Sequence, residues 1–234
     1  MTVTPSMTAT SQILPFDKPY GWSSFDAIRY VQRIIREKTG EKKFKIGHAG
    51  TLDPLATGLL LICIGKATKQ AQALQAEQKE YLAHVCLGAT TASYDLETTP
   101  VPTPNALPVS REQLEQQLRK MTGEQLQLPP SFSAKQIDGQ RAYALARQGV
   151  EVAVKPAQVT IYALELLEFS YPHATILVKC SKGTYIRSLA HDLGVALGCG
   201  GHLCGLRRTA SGEFRVEAGV EEVEEVLRSG TVGV

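Results

Sequence analysis

The chain of 234 residues carries 25 Lys and Arg against 23 Asp and Glu and is 43% hydrophobic, a composition that excludes a disordered or fibrous protein. No run of roughly 18 apolar residues occurs, which excludes a bilayer-spanning helix. The net charge of +2 is too small to mark a polyanion as partner, so any such footprint must come from uneven distribution.

Met1–Ser11 lacks the basic start and apolar centre of a secretory signal and reads as a flexible tail. Residues 12–234 then read as one domain of a cytoplasmic protein. Ile13 to Lys18 is a short apolar run closed at Pro19-Tyr20-Gly21, the pattern of a strand and turn. A helix follows, capped by Ser23 or Ser24 and ended by Gly40, with Phe25, Ile28, Val31, Ile34 and Ile35 at helical spacing. From Arg29 to Lys45 stand seven basic residues against Glu37 and Glu41, while acidic residues collect beyond Glu217. Residues 47–58 read as a loop, and Leu59 to Ile64 as a strand buried on both faces.

Tyr81 to Leu87 reads as a further strand, and Thr90 to Pro108 as a polar, proline-rich loop. Ser110 and Gln113 form a capping box for a helix ending near Gly123. Pro129 to Ala134 is expected to be extended, and Arg141 to Gln148 to be a short helix. Val150–Val154, Gln158–Phe169 and Ala174–Cys180 favour strands, with a turn at Tyr171-Pro172-His173. Thr184 to Leu197 reads as a helix with Ile186, Leu189, Leu193 and Leu197 on its apolar face. Without regular alternation of strand and helix, the class is α+β with a mixed or antiparallel central sheet flanked by helices.

Five cysteines, an odd count scattered through core-like segments, argue against a disulfide framework. Cys199, His202 and Cys204 are too few and too irregularly spaced for a structural zinc site, so no metal is expected.

Asp53 sits between Leu52 and Pro54 in a glycine-punctuated loop just before the buried strand. By position alone it is as much a turn residue as a catalyst. An obvious counter-charge is Arg187, which follows Lys182-Gly183-Thr184-Tyr185-Ile186. The full run Gly47-His48-x-Gly50-x-Leu52-Asp53-Pro54-x-Ala56-Thr57-Gly58 resembles the catalytic motif of bacterial tRNA pseudouridine-55 synthases, the TruB family. Lys182 to Arg187, Leu206-Arg207-Arg208, and Asp17-Lys18-Pro19 with Gly21 and Ser23-Ser24 resemble further segments of that family, in matching order over roughly residues 12 to 215. Ala49 stands where the family commonly has Thr, and Gly88 to Asp95 departs from its Asp-rich segment, so no role is carried over there.

The resemblance implies the pseudouridine synthase fold with an active-site cleft and isomerisation of one uridine in the tRNA T-loop, without cofactor or metal. It makes Asp53 the nucleophile, attacking C1′ of the ribose or C6 of the base, with Arg187 holding it. An Asp with a reference pKa of about 3.9 is ionised at neutral pH and needs no activating base. A base stacked in an RNA loop has to be flipped out, and aromatic side chains stabilise it. Tyr81 is implied to lie against it and to relay the C5 proton, Tyr185 to line the pocket, His48 to fill the vacated space and Leu206 to close the apolar side. Lys18, Lys42, Lys43, Lys45, Lys69, Lys182, Arg207 and Arg208 are implied to meet phosphates. The partner is the tRNA T-arm, met by a monomer with no obligatory protein partner and no membrane. The short distance after Phe214 suggests a form without the extra C-terminal RNA-binding domain of many relatives. Competing readings are a synthase for ribosomal or guide-directed RNA and a non-catalytic RNA-binding module or tRNA-folding chaperone.

Overall fold

The computed structural model describes residues 11–130, 136–137, 140–141 and 155–216. It packs as two compact units, one formed by the chain up to Lys79 together with the chain from Arg207 onward, the other by Glu80–Leu206. The strands are mostly antiparallel and are flanked by helices, the α+β class expected.

In the first unit, β1 (Gln12–Lys18) runs antiparallel to β3 (Ala56–Ile64), from Gln12 opposite Ile64 to Lys18 opposite Gly58. Every residue of β3 except Thr57 is buried, and the two faces have separate covers. Leu59, Leu61 and Cys63 form a cluster with Ala49 and Ala67. On the side of Phe16, paired with Leu60, lies α1 (Ser24–Thr39), whose Tyr30 ring approaches Phe16 at 6.3 Å between centroids.

The sequence marks both ends of α1. Ser23 and Asp26 exchange the two hydrogen bonds of a capping box, and Gly40 closes the helix at φ 70°, a conformation glycine adopts without steric cost. Its inner face is Ser24, Ala27, Ile28, Val31, Ile34 and Ile35. Phe25, expected on that face, is 58% exposed, because Ser24 and Ala27 occupy the side toward the sheet.

The expected loop from Gly47 also begins differently. Ile46–Ala49 is a strand, β2, paired antiparallel with β3 from Ile46 opposite Ile64 to Ala49 opposite Leu61. A 3-10 turn, Gly65–Gln70, and a short helix α2 (Ala71–Ala76) lead to β4 (Lys79–Leu87). The sequence also concealed β12 (Gly201–Ser211), whose last five residues belong to the first unit and turn into β13 (Phe214–Arg215).

The second unit contains β5 (Ala89–Thr90), β6 (Val101–Pro102) and α3 (Arg111–Lys120), which starts at the expected Ser110–Gln113 capping box. β7 (Gly123–Gln127), another strand the sequence hid, pairs with β10 (Ala157–Ser170), which forms a hairpin with β11 (His173–Cys180). Gln136–Ile137 and Gln140–Arg141 form a small hairpin, β8 and β9. Arg141 is therefore extended, and the remainder of the helix expected there, like residues 131–134 and the strand at 150–154, lies outside the described residues. The last helix among the described residues, α4, spans Ile186–Ala196, starting two residues later and ending one residue earlier than expected, since the Tyr185 backbone before it is extended and bracketed by Gln127.

Candidate active site

The loop that carries Asp53 joins β2 to β3, and its conformation is imposed from the start of α1. The Ser24 hydroxyl accepts the Leu52 N–H at 2.9 Å and donates to the Leu52 carbonyl at 3.0 Å. On the other side of Asp53, the Gly21 N–H donates to the Pro54 carbonyl at 2.9 Å. Asp53 is thus pinned through both neighbours, and its own carbonyl accepts the Ala56 N–H at 3.1 Å to close the turn. This is why Gly21 and Ser24 belong to the same pattern as a loop some thirty positions away: a carboxylate that must act at one place needs its backbone fixed.

Two buried cations support the loop from beneath. Lys18 is 0% exposed, and its ammonium donates to the carbonyls of Trp22 (2.7 Å) and Pro19 (3.0 Å). Burial lowers its pKa from 10.5 to about 8, and the Asp53 carboxylate is the strongest influence in the opposite direction. Arg208 is 1% exposed; its Nε donates to the Leu59 carbonyl at 2.6 Å and its Nη2 to the Gly50 carbonyl at 3.0 Å. Both were expected to meet phosphates. That reading is corrected: neither side chain reaches the surface, and their donors serve backbone carbonyls that would otherwise be buried without partners.

Two glycines make this support possible. Gly50 has φ +89°, and a Cβ there would stand 3.4 Å from the Arg208 guanidinium. Gly58 has φ +94°, and a Cβ would collide with the backbone of Arg208. The Gly50 and Gly58 of the motif are therefore fixed by the approach of β12.

His48, on β2, is half-buried. Burial, and after it the Arg208 guanidinium, depresses its pKa, keeping the ring neutral. Its Nδ1 is buried and finds no hydrogen-bond partner among the described residues. Arg207 is engaged in a bidentate pair with Asp17, at 2.6 and 3.0 Å, with 40% of its side chain still exposed. Lys69 is exposed on the 3-10 turn and, with Lys45 and Lys66, borders an open depression of about 410 Å³. Lys79, which the sequence reading passed over, is buried and donates to the carbonyls of Leu74, Gln75 and Glu77.

The other expected residues belong to the second unit. Tyr81 is 8% exposed on β4. Tyr185 precedes α4, and the Gln127 side chain brackets its backbone, accepting the Tyr185 N–H at 2.8 Å and donating to its carbonyl at 3.0 Å. Arg187 is buried on the first turn of α4, its Nε 3.6 Å from Asp95 and its Nη1 3.4 Å from the Ser93 carbonyl. Asp95 is a missed residue, hidden because its segment departs from the family pattern. Leu206 is half-buried and Lys182 exposed. Cys199, His202 and Cys204 turn to three separate carbonyls, those of Gly200, Ala89 and His84. No helix among the described residues is long and apolar enough to cross a membrane.

Comparison with known proteins decides the family. The model for the N-terminal domain of TruB family pseudouridylate synthases matches residues 36–186, and that for the tRNA pseudouridylate synthase B C-terminal domain matches residues 187–230. The chain belongs to the TruB family. Its TruB relatives include the tRNA pseudouridine synthase B of Bacteroides fragilis, 49% identical over 206 residues covering 88% of each chain. That of Parabacteroides distasonis is 46% identical over 228 residues, covering 95% of this chain and 96% of the relative. Among solved structures, a Cbf5-Nop10-Gar1 complex superposes with a TM-score of 0.69 at 28% identity over 94% of this chain and 56% of that one. An archaeal box H/ACA Nop10-Cbf5 complex gives 0.65 at 26% identity, covering 92% and 53%. The TruB chain described here spans little more than half the length of those two. They share the pseudouridine synthase fold with it.

Proposed function

We propose that this chain isomerises a uridine of tRNA to pseudouridine, at position 55 of the T-loop, with Asp53 as nucleophile. The observation that carries the reading is the doubly pinned Asp53: the Ser24 hydroxyl fixes Leu52, the Gly21 N–H fixes Pro54, and the buried Lys18 ammonium supplies a nearby positive charge. The relatives named tRNA pseudouridine synthase B support the substrate class.

The reaction breaks the N1–C1′ bond, turns the base and joins C5 to C1′; the C5 proton is lost and N1 gains one. Atoms and electrons balance without cofactor, metal or donor. Asp53 adds either to C1′, holding the ribose while the pocket retains the freed base as it turns, or to C6, holding the base itself through the turn. The target is flipped out of the loop, the step that aromatic side chains favour. By motif, Tyr81 packs against the base and passes the C5 proton, Tyr185 and Leu206 line its apolar surroundings, and Arg187 orients Asp53. His48, half-buried on β2, fills the space that the target base vacates and supports the opened loop. Lys69 and Lys182 are exposed cations for phosphates. The enzyme works as a cytoplasmic monomer, with residues 12–234 as its catalytic domain.

Mapping pseudouridines in tRNA from cells lacking this protein tests the proposal. Loss of the T-loop pseudouridine, restored by the wild-type chain, is the expected result; its persistence at full level contradicts it.

A further inference from the structure

The outer face of α1 has an arrangement that the catalytic loop does not use. Phe25 is 58% exposed, and the Arg29 guanidinium lies over its ring at 4.5 Å from the centroid. One turn further, Arg33 stands 5.5 Å from the centroid of Tyr30. Phe25, Arg29, Arg33 and Arg36 follow one another at intervals of four, four and three, so they form a single exposed stripe about 16 Å long. A phenylalanine left largely in water forgoes the gain of burial, and α1 does not need it for packing, since the helix already buries six other residues.

The position of the stripe is as informative as its composition. Phe25 adjoins Ser24, whose hydroxyl holds Leu52, and Tyr20, 64% exposed, adjoins Gly21, whose N–H holds Pro54. Exposed aromatics therefore flank both clamps on the Asp53 loop. The arginines are only loosely committed: Arg29 is 3.9 Å from Asp26 and Arg33 is 3.7 Å from Glu37, with all four side chains about half exposed or more, and such pairs contribute little. An exposed aromatic ring beneath a guanidinium, followed by a line of arginines, matches single-stranded RNA: a base stacks on the ring and phosphates meet the cations.

We infer that Phe25, Arg29, Arg33 and Arg36 form a stacking and phosphate-binding platform for unpaired nucleotides next to the target uridine. The inference rests on the proposed activity for its RNA and goes beyond it in naming the surface. Phe25 positions substrate without touching the reacting atoms.

The test uses the full chain and a T-arm RNA hairpin, with Kd measured by filter binding over a range of salt. Phe25→Ala should weaken binding roughly tenfold, the loss of one stacked base, raise KM rather than lower kcat, and leave the melting temperature in place. Phe25→Trp should restore affinity, and its emission should fall when the hairpin binds. Removing Arg29 and Arg33 together as glutamines should reduce the slope of log Kd against log salt by about 0.7 for each arginine. Hairpin binding by Phe25→Ala within twofold of wild type overturns the inference, whatever the arginine variants do. Binding is read without turnover, so this failure is distinct from failure of the activity, which would appear as wild-type protein forming no pseudouridine.

Discussion

Arg208 and Arg29 lie in the same unit and are the same chemical group, yet they do opposite work. Arg208, 1% exposed, spends its donors on the Leu59 and Gly50 carbonyls under the catalytic loop. Arg29, with 66% of its side chain exposed, lies over Phe25 at the outer surface of α1. In the first, burial turns a charge into scaffolding; in the second, exposure leaves a charge available to a ligand. Perturbing the inner set should therefore cost stability and turnover, and perturbing the outer set should cost RNA affinity alone.

The sharpest break of the inner set is Gly58→Ala. A Cβ there meets the Arg208 backbone at a residue with φ +94°, so the strand approach must open. A loss of at least about 4 kcal/mol is expected, read by denaturant unfolding. Arg208→Met keeps the volume but strands two carbonyls, and should lower stability by roughly 3 kcal/mol in the same assay.

Lys18 gives a prediction with two signs. Its folded pKa of about 8 lies below the unfolded value of 10.5, so between those values the unfolded chain holds a proton the folded chain has released. Stability should then rise with pH across that window by up to roughly 3 kcal/mol. Turnover should move the other way, falling above about pH 8 as Asp53 loses its cationic neighbour. Lys18→Met should flatten the stability trend across the window. The smallest effect is Ser24→Ala, which removes the acceptor of the Leu52 N–H: about 1–2 kcal/mol locally, seen as faster amide exchange at Leu52.

The parts of this structure legible in the sequence are those where composition and environment agree. β3 is an unbroken apolar run because both its faces are covered, and Ser23 and Gly40 mark α1 because caps are local chemistry. β12 was hidden because Gly201, Gly205, Arg207 and Arg208 resemble surface or loop, although Arg208 is buried with its charge met by carbonyls. β2 was hidden because four residues containing Gly47 and His48 carry no alternation. Phe25 was placed inside by its spacing, yet small residues at 24 and 27 won the inner face. The motif found Asp53, but only the fold showed what Gly21 and Ser24 do for it.

The central claim is that the pinned carboxylate of Asp53 performs the chemistry. The most direct measurement compares pseudouridine formed in T-arm RNA by the wild type and by Asp53→Asn, with RNA binding followed in parallel. The account predicts pseudouridine from the wild type and none from the variant, with hairpin affinity kept within a few-fold. Turnover by Asp53→Asn near the wild-type rate would contradict it.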